Sequence, residues 1–549
     1  MIKAQKDLDQ YCADLTKIIS QAMLLKSTTD KIANLETSVR NQELIVPIVG
    51  AFSAGKSTLI NSILGKSILP VAITPETSLA TEMRYSANNY IEAVKEDGST
   101  IRFEVDEFKK VSDNSAQYLY ARLYLDNMQL KNIEPLVLVD MPGFDSPLDA
   151  HNKAIMAYIG RACHYIVFAS VEEGTVSKSL LRHLREIHEL GRGFSFFLTK
   201  SDLKAQSDID SLVKLFNDEL RDYFDYSGES IPITQTSPDA VLKILTSINV
   251  DRVFFDLYKD TVQNLRNDLF DAINIKISAV KKDKNLLSNA VDELENSIGK
   301  LQRQTEAAKD DFNRRYAADN ISNDVISDLG IALEAELDEL LDVARGRNAA
   351  AVENCLNEII RTELNISLSN RLGSVHQEII SNFAASLHSL DKAMRELEID
   401  DEFTQNLSQE IQSELGKLSL LLPIGGPVGL LLKLLLAILP MILSDFFKKL
   451  SASRMEEKLR DIFMVKVFPH IKTKFRPELQ KIVSDIVHRM IEQTHAQYEE
   501  RITQKKLELE TAIQERDAML AKNQEVAIQL EEVREAVNSV NHKLLQEYN

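Results

Sequence analysis

Two glycines bracket a lysine-bearing loop, Gly50-Ala51-Phe52-Ser53-Ala54-Gly55-Lys56-Ser57-Thr58, which follows the apolar run LIVPIVG and precedes the helical stretch LINSILG. Strand, glycine loop and helix in that order are what the cradling of a polyphosphate requires. The glycines let backbone N–H groups curl around phosphate oxygens, and the helix N-terminus adds the positive end of its dipole. Lys56 can then reach the β and γ phosphates while Ser57 ligates Mg2+. Gly50, Ser53, Ala54, Gly55, Ser57 and Thr58 line the loop and are its candidate phosphate contacts. The plain alternative, a tight glycine turn without a ligand, is disfavoured by the strand and helix on either side.

A second apolar run, LVLVD, delivers Asp140, followed by Met141-Pro142-Gly143. A carboxylate at a strand end is where a water-bridged Mg2+ ligand belongs. Gly143 offers a backbone N–H to the γ-phosphate with no side chain in the way, a sensor able to move on hydrolysis. The run FSFFLTK ends in Thr199-Lys200-Ser201-Asp202, the [NT]KxD pattern. Asp202 can accept hydrogen bonds from the guanine ring N–H and 2-amino group, and Lys200 can lie along the base. Adenine lacks those donors, so the base expected is guanine. The stretch ITQTS sits where a base-contacting loop would follow the last strand, which brings in Thr236 and Ser237.

These residues need a sheet to hold them. Short apolar runs at residues 44–50, 136–139, 165–169 and 194–198 alternate with amphipathic helical stretches, a pattern that predicts a parallel sheet with helices on both faces. Before them, Leu8, Cys12, Leu15, Ile18, Ile19 and Leu25, then Ile32, Leu35 and Val39, mark helices with one apolar face. Beyond about residue 250 the strand-like runs stop, and charged segments with apolar steps of three and four take over. Pro and Gly are nearly absent from residues 251–415, so these helices can be long enough to form a bundle or stalk. Near the end, Leu509, Ile513, Leu520, Ala527, Leu530, Val537 and Leu544 form a heptad series broken by Arg516, Asn523, Arg534 and Asn541. Those breaks favour packing inside a bundle over a free coiled coil.

In order, GxxSAGKST, LPVAITPETSLATEMRY, DMPGF and TKSD resemble the motifs of the dynamin-like large GTPases, in particular their bacterial members. The resemblance covers about residues 44–237. It implies that Thr77 is the switch threonine that ligates Mg2+ and orients water, with Thr74 as the nearby alternative. It also implies that Ser53, Lys56, Thr77 and Gly143 serve hydrolysis, with Ser57, Thr77 and Asp140 around the metal. Dynamins proper place glutamine two residues after the loop's first glycine, whereas this chain has Phe52. Phenylalanine cannot hydrogen-bond a water, so hydrolysis is expected to be slow or to need a group supplied in trans. If Phe52 instead packs under the loop, Thr77 and backbone groups are left to place the water.

Residues 418–443 read LSLLLPIGGPVGLLLKLLLAILPMIL, with one charge, Lys433. Pro423, Gly425, Gly426, Pro427 and Gly429 break any continuous helix, and residues 430–439 reach only about 15 Å against a hydrocarbon core of about 30 Å. A hairpin dipping into one leaflet fits better. Its candidate lipid contacts are Leu421, Leu422, Ile424, Val428, Leu430, Leu431, Leu434, Leu435, Ile438 and Leu439. Phe403, Leu407, Ile411, Leu415 and Leu418 form the stripe leading in, and Phe446, Phe447, Lys448 and Lys449 form an aromatic and basic collar on the way out. A buried helix or a dimer interface is the alternative; the lack of polar alternation favours lipid. The placement resembles the lipid-binding tip that dynamin-like proteins carry at the far end of the stalk.

Acidic residues outnumber basic ones by 83 to 64, a net charge of −19 that argues against a nucleic acid partner. Cys12, Cys163 and Cys355 lie far apart with no CxxC spacing, so a disulfide framework or thiolate metal site is not expected. The first seventeen residues are charged throughout, unlike a signal peptide, and the expected location is cytoplasmic, peripheral to the inner face of a membrane.

The organisation expected is N-terminal helices over residues 1–43 packing with the neck, then an α/β P-loop GTPase domain over 44–250, mainly parallel with helices on both faces. A helical stalk over 251–416, a monotopic hydrophobic tip over 417–450 and returning helices over 451–549 complete it. The function expected is a GTP- and Mg2+-binding GTPase that couples its cycle to membrane binding and remodelling. Nucleotide- or lipid-dependent self-assembly, and related dynamin-like partner proteins, follow from the resemblance. The rival is a GTP-gated membrane scaffold or tether with little hydrolysis. A coiled-coil ATPase is disfavoured because Asp140 and TKSD lie close behind the loop rather than near the C-terminus.

Overall fold

The structure is a computed structural model that describes residues 1–22, 24–50, 54–70, 79–142, 158, 162–189, 192–234, 236–315, 319–346, 349–400, 403–412, 455–520 and 523–548. Phe52, Ser53, Thr74, Thr77, Gly143 and the hydrophobic tip with its ten candidate lipid contacts lie outside the described residues.

The head is built on a nine-stranded sheet. Its strands are β1 (Leu44–Gly50), β2 (Thr81–Tyr85), β3 (Tyr90–Val94), β4 (Thr100–Phe103), β5 (Tyr120–Leu125), β6 (Leu136–Asp140), β7 (His164–Ser170), β8 (Gly193–Thr199) and β9 (Ile231–Pro232). They lie in the order β4-β3-β5-β2-β6-β1-β7-β8-β9. Around the site the sheet is parallel, with β1 flanked by β6 and β7, then β8 and β9. Away from it the sheet is mixed: β2 runs antiparallel to β6 and parallel to β5, and β3 is antiparallel to β4 and β5.

The strand period of two sorts the central residues between two cores. Leu44, Val46 and Ile48 of β1 join Leu136 and Leu138 of β6 and the P-loop helix residues Leu59, Ile60 and Ile63 on one face. Ile45 and Val49 join Val137, Val139, Val167 and Phe196 on the other, under Leu180 and Leu184 of helix Lys178–Glu189 and Phe216 and Leu220 of helix Gln206–Phe224. Burial on both sides is why these strands are continuous apolar runs. Strands β2 to β5 read instead as TEMRY, YIEAV, TIRF and YARLYL, half-polar segments whose charges pair along a strand, across the sheet and with Glu43 beside it.

Helices Lys3–Ile19 and Lys26–Asn41 pack with helix Lys259–Lys281 and the C-terminal helix Asn523–Tyr548 in the same core as the first sheet face. Tyr11 donates to Asn541 at 3.1 Å, Tyr548 donates to Asp7 at 2.6 Å, and the rings of Phe255 and Tyr548 stack 4.5 Å apart. A third core joins helices Lys284–Arg315, Asp319–Ala335, Leu337–Arg345, Ala349–Ser386 and Phe468–Leu520 in a helical trunk. At 53 residues the last helix runs about 80 Å. Its near-equal division of apolar and polar residues around the axis suits contact with several helices at once. Cys12, Cys163 and Cys355 are free. Among the described residues no helix is long and apolar enough to cross a membrane.

Candidate nucleotide site

Gly50 ends β1 with φ +153°, and a Cβ there would lie 2.3 Å from the carbonyl oxygen of Phe168 on β7. Gly55, with φ +80°, caps helix Lys56–Leu64 with no side-chain acceptor, which leaves the first-turn N–H groups to a ligand. Lys56 is buried and its Nζ donates to the Gly50 carbonyl at 2.7 Å, so the loop's first glycine and its lysine are tied together.

Asp140 is wholly buried at the end of β6, where it registers with Ile48 of β1 and Thr81 of β2. Ser57 Oγ donates to its Oδ2 at 3.1 Å. Burial pushes the Asp140 carboxyl up to about 6, against the charge of Lys56 and the Ser57 hydrogen bond, which pull it down. Its Oδ1 accepts no hydrogen bond among the described residues. A buried carboxylate with one oxygen left over, beside a serine hydroxyl, fits a hard divalent cation such as Mg2+.

At the end of β8 the Thr199 hydroxyl is shared between the carbonyls of Ala54, at 2.7 Å, and Ala169, at 3.1 Å. The threonine of the TKSD run therefore ties the glycine loop at Ala54 to β7, and its hydroxyl is spent within the protein. Lys200 takes a left-handed backbone, φ +60°, and forms an ion pair with Glu172 on the loop after β7. That lysine holds the Glu172 carboxyl below its usual range. Asp202 is exposed. The Ser201 N–H donates to Ile233 at 3.1 Å and Ser62 Oγ donates to the Thr236 carbonyl at 3.0 Å, which brings the exposed Thr236 and Ser237 beside this motif.

One positioning residue escaped the sequence reading. Asn61, on the buried side of the P-loop helix, accepts from the N–H groups of Ile68 and Leu69 at 3.0 and 2.9 Å and donates to the Leu69 carbonyl at 2.8 Å. It fixes the chain just before the segment that carries Thr74 and Thr77. A lone asparagine among Leu59, Ile60, Ile63 and Leu64 was the signal for it.

A glycine loop between β1 and a helix, a buried aspartate on the adjacent strand and a lysine–aspartate motif two strands along define a P-loop nucleotide domain of the GTPase fold. Residues 46–201 match the dynamin family model. "Dynamin-like protein 2" of Campylobacter jejuni is 25% identical over 182 residues, 33% of this chain and 29% of that protein. "Bacterial dynamin-like protein" of Nostoc punctiforme is 27% identical over 216 residues, 34% of this chain and 30% of that one. An uncharacterized Caldicellulosiruptor protein is 23% identical over 40% of this chain and 55% of its own. The chain thus spans about half the length of that last relative and under a third of the other two. Among solved structures, the LeoA bacterial dynamin GTPase from ETEC aligns over 98% of both chains at 14% identity with a TM-score of 0.32. Residues 46–201 thus carry a dynamin-family domain, and over about a third of its length the chain is similar to bacterial dynamin-like proteins.

Proposed function

We propose that this protein binds GTP with Mg2+ in its head, hydrolyses it, and couples that cycle through the helical trunk to membrane binding and remodelling by residues 417–450. The observation that carries the reading is the meeting of Lys56, Ser57 and the half-satisfied Asp140 at the C-terminal ends of β1 and β6, with Lys200 and Asp202 at the end of β8. On this reading the loop N–H groups and Lys56 bind the β and γ phosphates, and Ser57 and Asp140 hold the metal with Thr77. Asp202 accepts from guanine while Lys200, steadied by Glu172, lies along the base. Thr199 keeps the loop in place from behind. Ser53, Thr77 and Gly143 act on the water and the γ-phosphate. Bound Mg2+ supplies charge stabilisation on the phosphate oxygens.

The rest of the reading follows the family: residues 1–43, 251–416 and 451–549 form neck and stalk around the head at 44–250. The protein works in the cytoplasm at the inner face of a membrane, and it self-assembles on nucleotide or lipid with related dynamin-like partners. GTP turnover with and without liposomes, for the wild type and Lys56→Ala, tests this. Lipid-stimulated turnover lost in the variant supports it. Binding of GTP without turnover under either condition selects the GTP-gated tether that Phe52 favours, and no GTP binding at all refutes both.

A further inference from the structure

Glu82, the second residue of β2, has no exposed surface. A glutamate there costs several kcal/mol unless its oxygens are fully met. Its Oε2 accepts from Arg84, from Nε at 3.0 Å and Nη2 at 2.6 Å, and from Nε of Arg122 on β5 at 3.3 Å. Its Oε1 accepts from the Tyr158 hydroxyl at 3.0 Å. The β2–β5 register sets Arg122 directly opposite Glu82, and Arg84 lies two residues along on the same face. Tyr158 is itself buried, its ring edge-on to Tyr120 at 5.9 Å, and its carbonyl accepts from Ala162 at 2.9 Å.

The placement of these groups along the chain gives them a role. Glu82 lies five residues beyond Thr77, on the strand that leaves the switch segment and pairs with Asp140 through Thr81. Tyr158 follows the segment opened by Asp140 and Gly143. Arg84 reaches on to Glu43, between helix Lys26–Asn41 and β1, through Nη1 at 2.5 Å and Nη2 at 2.9 Å. One buried carboxylate therefore bonds the exit of the second segment to the exit strand of the first, and its arginine bonds both to the junction between the N-terminal helices and the sheet. A sheet needing only stability would be served as well by apolar side chains at these positions.

We propose that Glu82 is a positioning residue that couples the segments carrying Thr77 and Gly143 to each other and, through Arg84 and Glu43, to the N-terminal helices. The inference rests on the proposed GTP binding. Tyr158→Phe tests it best, because it removes one hydroxyl and leaves the ring packing. Hydrogen exchange of residues 69–80, 143–157 and 26–43 is followed in full-length protein, free and with a non-hydrolysable GTP analogue, together with GDP affinity and steady-state turnover. The wild type is expected to gain protection in all three segments on binding the analogue. Tyr158→Phe is expected to keep GDP affinity within threefold and the analogue's protection of helix Lys56–Leu64. It should lose most of the added protection in 143–157 and 26–43 and lower kcat about tenfold at unchanged KM. Arg84→Lys, which keeps the charge and loses the fork to Glu43, is expected to lose protection in 26–43 alone. Wild-type exchange responses in a folded Tyr158→Phe overturn the inference while leaving the proposed function standing. A loss of affinity, protection and melting temperature in step overturns it too, because that is ordinary destabilisation. Absence of GTP binding by the wild type fails the proposed function itself.

Discussion

Gly50→Ala is the sharpest perturbation of the site that the backbone geometry allows. The new Cβ would sit 2.3 Å from the Phe168 carbonyl oxygen, 3.1 Å from its carbonyl carbon and 3.2 Å from its Cβ. The first is about 1 Å inside an ordinary carbon–oxygen contact, and the atom struck is backbone of the neighbouring parallel strand, so no rotamer relieves it. Either β1 and β7 separate at the Gly50 to Phe168 pairing, or Gly50 leaves φ +153°. Both moves carry the Gly50 carbonyl away from Lys56. Overpacking of this kind costs about 1–3 kcal/mol and backbone strain adds about 1 kcal/mol more, a total of about 3 kcal/mol. For a unit the size of the head that lowers its melting temperature by about 6–12 °C. Gly65→Ala is the matched control: φ is +65° there but nothing lies within 4 Å of the new atom, so only about 1 kcal/mol of strain is expected. Thermal unfolding with and without GDP isolates the head transition, and titration with fluorescent GDP and GTP reads the site. Gly50→Ala should melt well below Gly65→Ala and lose nucleotide affinity more than tenfold, while Gly65→Ala binds like wild type. Equal melting and equal affinity for the two variants would refute the close-approach argument.

Thr199→Val keeps the shape and removes the hydroxyl shared by Ala54 and Ala169, so it should cost about 1–2 kcal/mol and weaken GDP binding about tenfold by calorimetry. Undiminished affinity would mean the phosphate loop does not depend on this anchor. Ser57→Ala should abolish the gain in nucleotide affinity that Mg2+ gives and leave metal-free GDP binding nearly unchanged, because the hydroxyl faces Asp140 rather than the phosphate cradle; a wild-type Mg2+ response would count against the assigned metal ligands. Burial pushes the His164 imidazole down to about 4, below its unfolded value of about 6.5. A depressed folded value means the neutral ring's contribution is complete above pH 6.5 and is lost as pH falls toward 4, by about 3 kcal/mol at most. Urea unfolding should therefore show a steeper loss between pH 6.5 and 4.5 for wild type than for His164→Gln; parallel curves would contradict it.

The nucleotide motifs were legible because each is local. A glycine pair, a lysine and a strand-end aspartate fall in fixed order along the chain, and β1, β6, β7 and β8 carry apolar runs because both faces of those runs are covered. What stayed hidden depends on pairing between distant strands. Glu82 in TEMRY reads as a solvated charge, and only the register with Arg122 and the fold of Tyr158 onto it make it a buried one. Thr199 belongs to the TKSD run, but its hydroxyl faces the loop behind it, which no spacing rule reveals. The mainly parallel sheet expected from four apolar runs is present around the site; its mixed extension was not legible, since strands β2 to β5 set polar residues among apolar ones.

The head has two attachments of different chemistry. Toward helices Lys3–Ile19 and Asn523–Tyr548 the contact is apolar: Leu8, Tyr11 and Leu15 meet Leu530, Val533, Val537 and Leu544 in one core with the sheet. Toward the trunk it is ionic. Helix Lys178–Glu189 buries Leu180, Leu184 and Ile187 on the sheet and turns Arg182 and His183 to the other side. There Arg182 lies 3.1 Å from Glu339, 3.6 Å from Glu336 and 3.5 Å from Glu358, His183 lies 3.1 Å from Glu358, and Lys178 lies 3.0 Å from Glu336. Water competes well for every one of those groups, so an intact buried ion cluster is worth little over the separated, hydrated parts, whereas loss of a single partner costs about 3–5 kcal/mol. Parting two apolar faces has no such compensation, because each square ångström uncovered is penalised. The N-terminal and C-terminal helices are thus bound to the head as a core is bound, whereas the contact through helix Lys178–Glu189 is specific when closed and inexpensive to open as a whole.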